Sequence, residues 1–199
     1  MTNLNFNSKH LDLGCGDTPR NPYKATELFG VDLTLGLREV DEHFKACNLV
    51  CEPIPFVDSY FDSVSGFDVI EHIPRQSVDH QNKAIINPFV NLINEIYRVL
   101  KPGGLFYAST PAFPSPEAFQ DPTHVNIITD GTHEYFCGGN PDARIYGFTG
   151  QFVAIEAERI YPKYAQTAER TLLNKIKNAH KKYIKGSISH VVWQLQAIK

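Results

Sequence analysis

Leu11-Asp12-Leu13-Gly14-Cys15-Gly16 is the stretch on which the reading of this chain turns. Residues 9–13 (KHLDL) are short and mostly apolar, as a buried strand requires, and two glycines then fall within three positions. Glycine lets a backbone reverse sharply and lets a ligand approach it closely. A glycine turn at the carboxyl end of a first strand is where open α/β sheets bind their ligands. Sixteen residues after Gly16, Asp32 closes a second apolar run, LFGVDL at 28–33. A carboxylate at that strand end is placed to accept both hydroxyls of an adenosine ribose.

Outward from the turn, short apolar runs alternate with helical periodicity. Further strands are expected at 44–49, 62–68 and 105–110. Asn87–Leu100 repeats apolar residues at helical spacing and is stopped by Lys101-Pro102-Gly103-Gly104. Strand–helix alternation predicts a mainly parallel sheet with right-handed crossovers. The pattern lapses over 111–150, a stretch rich in Pro, Gly, His and aromatic residues, which is expected to form a lid or substrate segment. An alternating strand at 152–161, a helix near 167–184 and a strand at 190–198 complete the chain, the last pair predicting an antiparallel edge. The expectation is one domain over 1–199, a Rossmann-like α/β fold of seven mainly parallel strands with helices on both faces and an antiparallel last strand.

Composition narrows the classes. The chain has 199 residues, 42% of them hydrophobic, enough to bury a core. No apolar run is long enough to span a membrane. The polar start, MTNLNFNSKH, lacks a signal-peptide centre, which predicts a cytoplasmic location. Cys15, Cys47, Cys51 and Cys137 follow no zinc or disulfide spacing and are expected to be reduced. A dinucleotide fingerprint would need a third glycine at position 19, where Pro19 stands, which argues against a nicotinamide enzyme. The net charge of −3 is uneven: residues 163–199 hold eight basic residues against one acidic, leaving −10 on the first 162.

LDLGCG, then GVDL, PIPFVDSYFDSV, FDVIEHI, EIYRVLKPGG and STP, in this order over residues 9–112, resemble the class I S-adenosylmethionine-dependent methyltransferases. Asp121-Pro122-Thr123-His124 is similar to a phrase of a compact subgroup often associated with surface-polysaccharide genes. The resemblance implies S-adenosylmethionine as cofactor. It implies that Asp12, Gly14, Cys15 and Gly16 form the first cofactor motif, that Asp32 binds the ribose, and that Leu33 packs on the adenine. Asn48 falls near the adenine side, and Gly66 and Phe67 fall where the fourth strand faces the methionine end.

Acceptor chemistry rests on Asp68, Glu71, His72, His124 and His133. His124, His72 or His133 is a candidate general base for a hydroxyl, histidine being close to neutral in pKa. Glu71-His72 matches a pair that is mainly structural in many members of the family. Alternatively Asp68, Glu71, His72 and His124 present mixed oxygen and nitrogen donors suited to Mg²⁺ or Mn²⁺. The small-RNA 2′-O-methyltransferases are similar here, with a Glu where this chain has Asp68. Near the C-terminus, Leu172, Ile176, Ala179 and Tyr183 share one helical stripe, amid Arg170, Lys175, Lys177, Lys181, Lys182 and Lys185. Such a stripe is expected to pack on the fold with the basic face solvated. The alternative is docking of a phosphorylated substrate or nucleic acid.

The function expected is methylation, with O-methylation of a small hydroxylated acceptor such as a sugar or sugar nucleotide in first place. A metal-assisted RNA 2′-O-methyltransferase and a non-enzymatic cofactor-binding interaction protein are the alternatives. Partners are then a small acceptor, anionic or phosphorylated in one version, with no membrane; a homodimer is left open.

Overall fold

The computed structural model describes residues 7–36, 41–185 and 188–199, without the side chain of Lys185. The start of the chain, residues 1–6, on which the expected location partly rests, lies outside them. Seven strands form one sheet: β1 (Lys9–Leu13), β2 (Glu27–Asp32), β3 (Phe44–Ala46), β4 (Phe61–Phe67), β7 (Leu100–Pro111), β8 (Phe152–Ile160) and β9 (His190–Ala197). Their spatial order is β3-β2-β1-β4-β7-β9-β8. The first five pair in parallel, and β9 inserts antiparallel between β7 and β8. The antiparallel last strand is as expected, yet it lies inside the sheet, and β8 is the edge. The order reverses at β1, which places the 14–16 turn at the crevice where such sheets bind ligands.

The helix α1 (Pro88–Val99) joins β4 to β7. Pro88 at its first turn costs no hydrogen bond, because that N–H has no helical partner. Its apolar face (Phe89, Val90, Leu92, Ile93, Ile96 and Val99) is buried against the sheet. Lys101-Pro102-Gly103-Gly104 does end the helix, but it runs extended within β7. Between β4 and α1 lies a small antiparallel hairpin, β5 (Ser77–Asp79) with β6 (Ala84–Ile86), which the sequence reading missed. Its turn is held by Asp79, which accepts from the Gln81 and Asn82 backbones.

The 111–150 segment divides in two. Ile128, Phe136, Ala143 and Phe148 belong to the main core, with Phe136 edge-on to both Phe89 and Phe148. Phe113 and Phe119 are half exposed and meet edge to face at 6.2 Å. The second half is therefore part of the body, and only the stretch around 113–125 stands outside it.

The opposite sheet face is built differently. A small cluster of Phe67, Tyr107, Ile160, Ala165 and Val192 is covered by Tyr23 and by the turn at Pro162–Tyr164. Helix α2 (Leu172–His180) lies beyond that cover, followed by one π-helical turn, Lys181–Lys185. It starts later than the sequence reading places it, because Thr171 caps it by accepting from the Asn174 N–H at 3.2 Å. The expectation that its apolar stripe packs on the fold is overturned. The buried residue is Asn178, while Leu172, Leu173, Ile176, Tyr183 and Ile184 are exposed.

Candidate active site

Gly14 and Gly16 both have left-handed backbones, φ +63° and +49°. A Cβ at Gly14 would stand 2.4 Å from Val69 Cγ2, so the turn closes against the end of β4. A Cβ at Gly16 would meet nothing within 4 Å. One glycine is demanded by the protein's own packing, and the other faces the open cleft. Asp32 braces the turn: its carboxylate accepts from the Gly16 N–H at 2.9 Å and from the Thr34 N–H at 3.2 Å. Leu33 beside it is 66% exposed at the cleft mouth. Cys15 is buried, its thiol filling the space that a side chain at Gly30 would need, so only its backbone is near the cleft. Gly66 and Phe67 end β4, next to Gly14's neighbour Val69. The Asn48 side-chain oxygen turns back on its own loop and accepts from the Val50 N–H.

Beneath the turn runs a buried polar chain. Ser65 Oγ donates to Asp12 Oδ1 at 2.6 Å, and the Arg20 N–H donates to Asp12 Oδ2 at 2.7 Å. Asp12 thus ties the loop that follows β1, at Arg20, to β4 at Ser65. With Asp12 ionised, the serine proton is committed to the carboxylate, so Ser65 Oγ must accept from His10 Nε2 at 2.9 Å. Then His10 Nδ1 accepts from Ser63 Oγ at 2.7 Å, which fixes the tautomer. Burial raises the Asp12 carboxyl to about 6, although the Arg20 and Ser65 hydrogen bonds oppose it. Burial also lowers His10 to about 3, so the ring is neutral.

At the end of β4, Glu71, His72 and His124 each offer a ligand atom within 4.8 Å of the others. The phrase Asp121–His124 explains how. Asp121 Oδ1 accepts from the Thr123 N–H and hydroxyl, making a tight turn, and Thr123 in turn holds His72. A carbonyl oxygen can only accept, so the contact of His72 Nδ1 with Thr123 O at 3.2 Å makes Nδ1 the protonated nitrogen. The Nε2 lone pair of His72 is left for another partner. The His72 and His124 rings meet edge to face at 4.8 Å. Glu71 is 1% exposed; Oε2 accepts from Thr110 Oγ1 at 2.8 Å, while Oε1 has no partner among the described residues. His124 Nδ1 is likewise buried and unpartnered. Burial, with a smaller push from Asp68, raises Glu71 to about 7.

Two expected residues are not in this cluster. Asp68, left-handed at φ +55°, gives its carboxylate to His190 Nε2 at 3.0 Å. His133 packs in the core beside Trp193, ring centroids 6.0 Å apart. The partner of Asp68, His190, was not singled out in the sequence, where the two stand 122 residues apart.

A cavity of about 500 Å³ lies under the 126–150 segment, lined among others by Arg75, Gln76, Asn87, Thr132, Tyr135 and Tyr146. Arg75 is anchored to Asn126, which also donates to the Ile70 carbonyl beside Glu71.

A parallel sheet whose order reverses at β1, with a glycine turn and an acid at that point, is the architecture on which α/β proteins bind nucleosides. Residues 11–108 match the methyltransferase domain family. Over those residues the chain carries a methyltransferase domain, and this match together with the fold supports a class I S-adenosylmethionine-dependent methyltransferase, an enzyme. It is similar to an S-adenosylmethionine-dependent methyltransferase from Archaeoglobus fulgidus (15% identity, 96% of this chain and 86% of that one, TM-score 0.55). It is also similar to Haemonchus contortus phosphoethanolamine N-methyltransferase 2, bound to S-adenosylmethionine (18%, 100% and 50%, 0.55). A third is the geranyl diphosphate C-methyltransferase of Streptomyces coelicolor A3(2), in complex with Mg²⁺, geranyl diphosphate and S-adenosylhomocysteine (17%, 96% and 71%, 0.52). No curated protein sequence matches the chain. At such identities the likeness concerns the fold; these relatives methylate different kinds of atom.

Proposed function

We propose that the chain methylates a hydroxyl of a small acceptor, a sugar or sugar nucleotide, with His124 taking the hydroxyl proton and the neighbouring Glu71 carboxylate stabilising the imidazolium that forms. The observation that carries this reading is that two of the buried, unpartnered side-chain atoms, Glu71 Oε1 and His124 Nδ1, belong to one cluster just after β4. Methylating a hydroxyl requires removal of its proton, and unsatisfied buried acceptors are otherwise rare. The open space at Gly16 and the Asp32 carboxylate fit the cofactor's ribose, and Leu33 fits the adenine. S-adenosylmethionine, when bound, supplies an electrophilic methyl carbon on sulfur. The chain's own residues then act by placement: Asp12 fixes the loop after β1, and Asn48 with Gly66 and Phe67 bounds the rest of the cofactor cleft. The Phe113–Phe119 pair excludes water from the acceptor side, where methyl transfer gains from positioning and dryness. The amide, hydroxyl and aromatic lining of the cavity beside Arg75 suits the remaining hydroxyls of a sugar.

The three-donor cluster favours one second reading. Glu71, His72 and His124 fit a divalent cation such as Mg²⁺ or Mn²⁺, and Asp68, held by His190, is outside the set. A cation there would grip vicinal hydroxyls, including those of an RNA terminus. The test is methyl transfer to a panel of sugar nucleotides and short RNAs, with and without chelator. Turnover on the sugars that survives chelation and falls about 10²–10⁴-fold in Glu71→Gln and His124→Asn, with cofactor binding unchanged, supports the first reading. Loss in chelator with rescue by Mn²⁺ supports the second. Wild-type turnover retained by both variants contradicts each.

A further inference from the structure

The helix α2 is turned the wrong way round for a helix that serves the core. Its polar side faces the protein: Asn178 is buried, its Oδ1 accepting from the Tyr161 N–H at 2.8 Å and its Nδ2 donating to the Arg159 carbonyl at 3.1 Å. Those two bonds cap the end of the edge strand and fix the helix rotation. At about 100° per residue, Leu172, Leu173, Ile176, Tyr183 and Ile184 fall on the side away from Asn178. All five are more than half exposed, Leu172 at 76% and Tyr183 at 75%. Lys175 and Lys182 lie along one flank of this stripe, sharing a groove with Glu156 and Glu158 of β8, while Lys177 lies along the other; no acidic residue occurs from 171 to 185 itself. Arg170, just before the helix, is buried and paired with Glu156 and Glu158, so it anchors the segment to β8.

We propose that α2 is an interfacial helix that docks this protein on an anionic phospholipid surface. Its apolar stripe would enter the headgroup boundary and its flanking lysines would meet lipid phosphates. Such helices require a sharp division between an apolar stripe and basic flanks, on a segment that is polar over the rest of its surface. Charge complementarity selects the occupant. Pairing α2 with α2 of a second copy sets lysine flanks against each other, and nucleic acid would leave five large apolar side chains without a partner. The excess of −10 on residues 1–162 repels an anionic surface, so it holds the body outward while the lysines of α2 face the lipid. The helix is far too short and charged to span a bilayer; it lies on one.

The test is flotation of the full chain with vesicles of phosphatidylcholine alone and of phosphatidylcholine mixed with phosphatidylglycerol. Wild type is expected to bind the mixed vesicles only, and less as salt rises. Leu173→Ser with Ile176→Ser is expected to lower binding by about tenfold or more. Lys177→Gln is expected to lower it by about fivefold, with cofactor binding intact in every variant. Absence of binding to mixed vesicles overturns the proposal. So does a concentration-dependent dimer, in sedimentation, that the serine variant abolishes without any vesicle binding by wild type. Equal binding to both vesicle types overturns the electrostatic part of the account.

Discussion

The two faces of the central strands are built on opposite principles. On one, Leu11, Leu13 and Val64 lie under α1 in a continuous apolar core. On the other, the same strands carry His10, Asp12, Ser63 and Ser65, all buried and all hydrogen-bonded. The first face supplies stability without geometry. The second holds a loop in one position at the expense of desolvated polar groups, and the glycine turn sits on that loop. The contrast separates the apolar packing under α1 from the polar bracing of the glycine turn, and each can be disturbed separately.

The largest effect is expected on the apolar face. Ile96→Ala leaves a cavity under α1 and should cost about 2–5 kcal/mol in chemical denaturation, with S-adenosylhomocysteine affinity unchanged below the transition. On the polar face the signature is pH. His10 is held neutral with a folded pKa of about 3, whereas the unfolded ring takes up a proton below about 6.5. Its contribution is therefore present above 6.5 and is lost as pH falls through this window toward 3. Asp12 acts in the opposite sense: its raised pKa of about 6 favours the protonated folded state, and that contribution fades as pH rises from 3.8 through 6. His10 spans the wider window. Stability measured from pH 7 to 4 should thus fall more steeply in wild type than in His10→Gln, by on the order of a few kcal/mol. Equal slopes would show that the ring is not buried neutral. Ser65→Ala removes a bond from Asp12 and one from His10, and about 1–3 kcal/mol is expected, accompanied by weaker cofactor binding because the loop is less fixed. The smallest change is predicted for Leu173→Ser, within about 0.5 kcal/mol, since that side chain touches solvent.

How far the sequence showed this differs by region. The glycine turn and the place of Asp32 at the end of β2 were legible because they depend on local spacing. The β5–β6 hairpin was not, since its stability comes from one Asp79 turn rather than an alternating pattern. Nor was the Asp68–His190 pair, which exists only because β9 inserts beside β7. His124 was grouped with Glu71 and His72 in the sequence reading; the Asp121 turn that carries it there is what a pattern of residue types does not reveal. The clearest case is α2. Its periodicity shows an apolar stripe but not which way it faces, and a single buried Asn178 decides that.

The central claim is that the turn at 14–16 and Asp32 form the cofactor site. Calorimetric titration of the chain with S-adenosylhomocysteine, repeated with Asp32→Ala, tests it most directly. The account predicts one-to-one binding that weakens by about ten- to a hundredfold in the variant, the loss expected when a charged acceptor is removed. Undetectable binding by the wild type, or equal affinity in the variant, would contradict it.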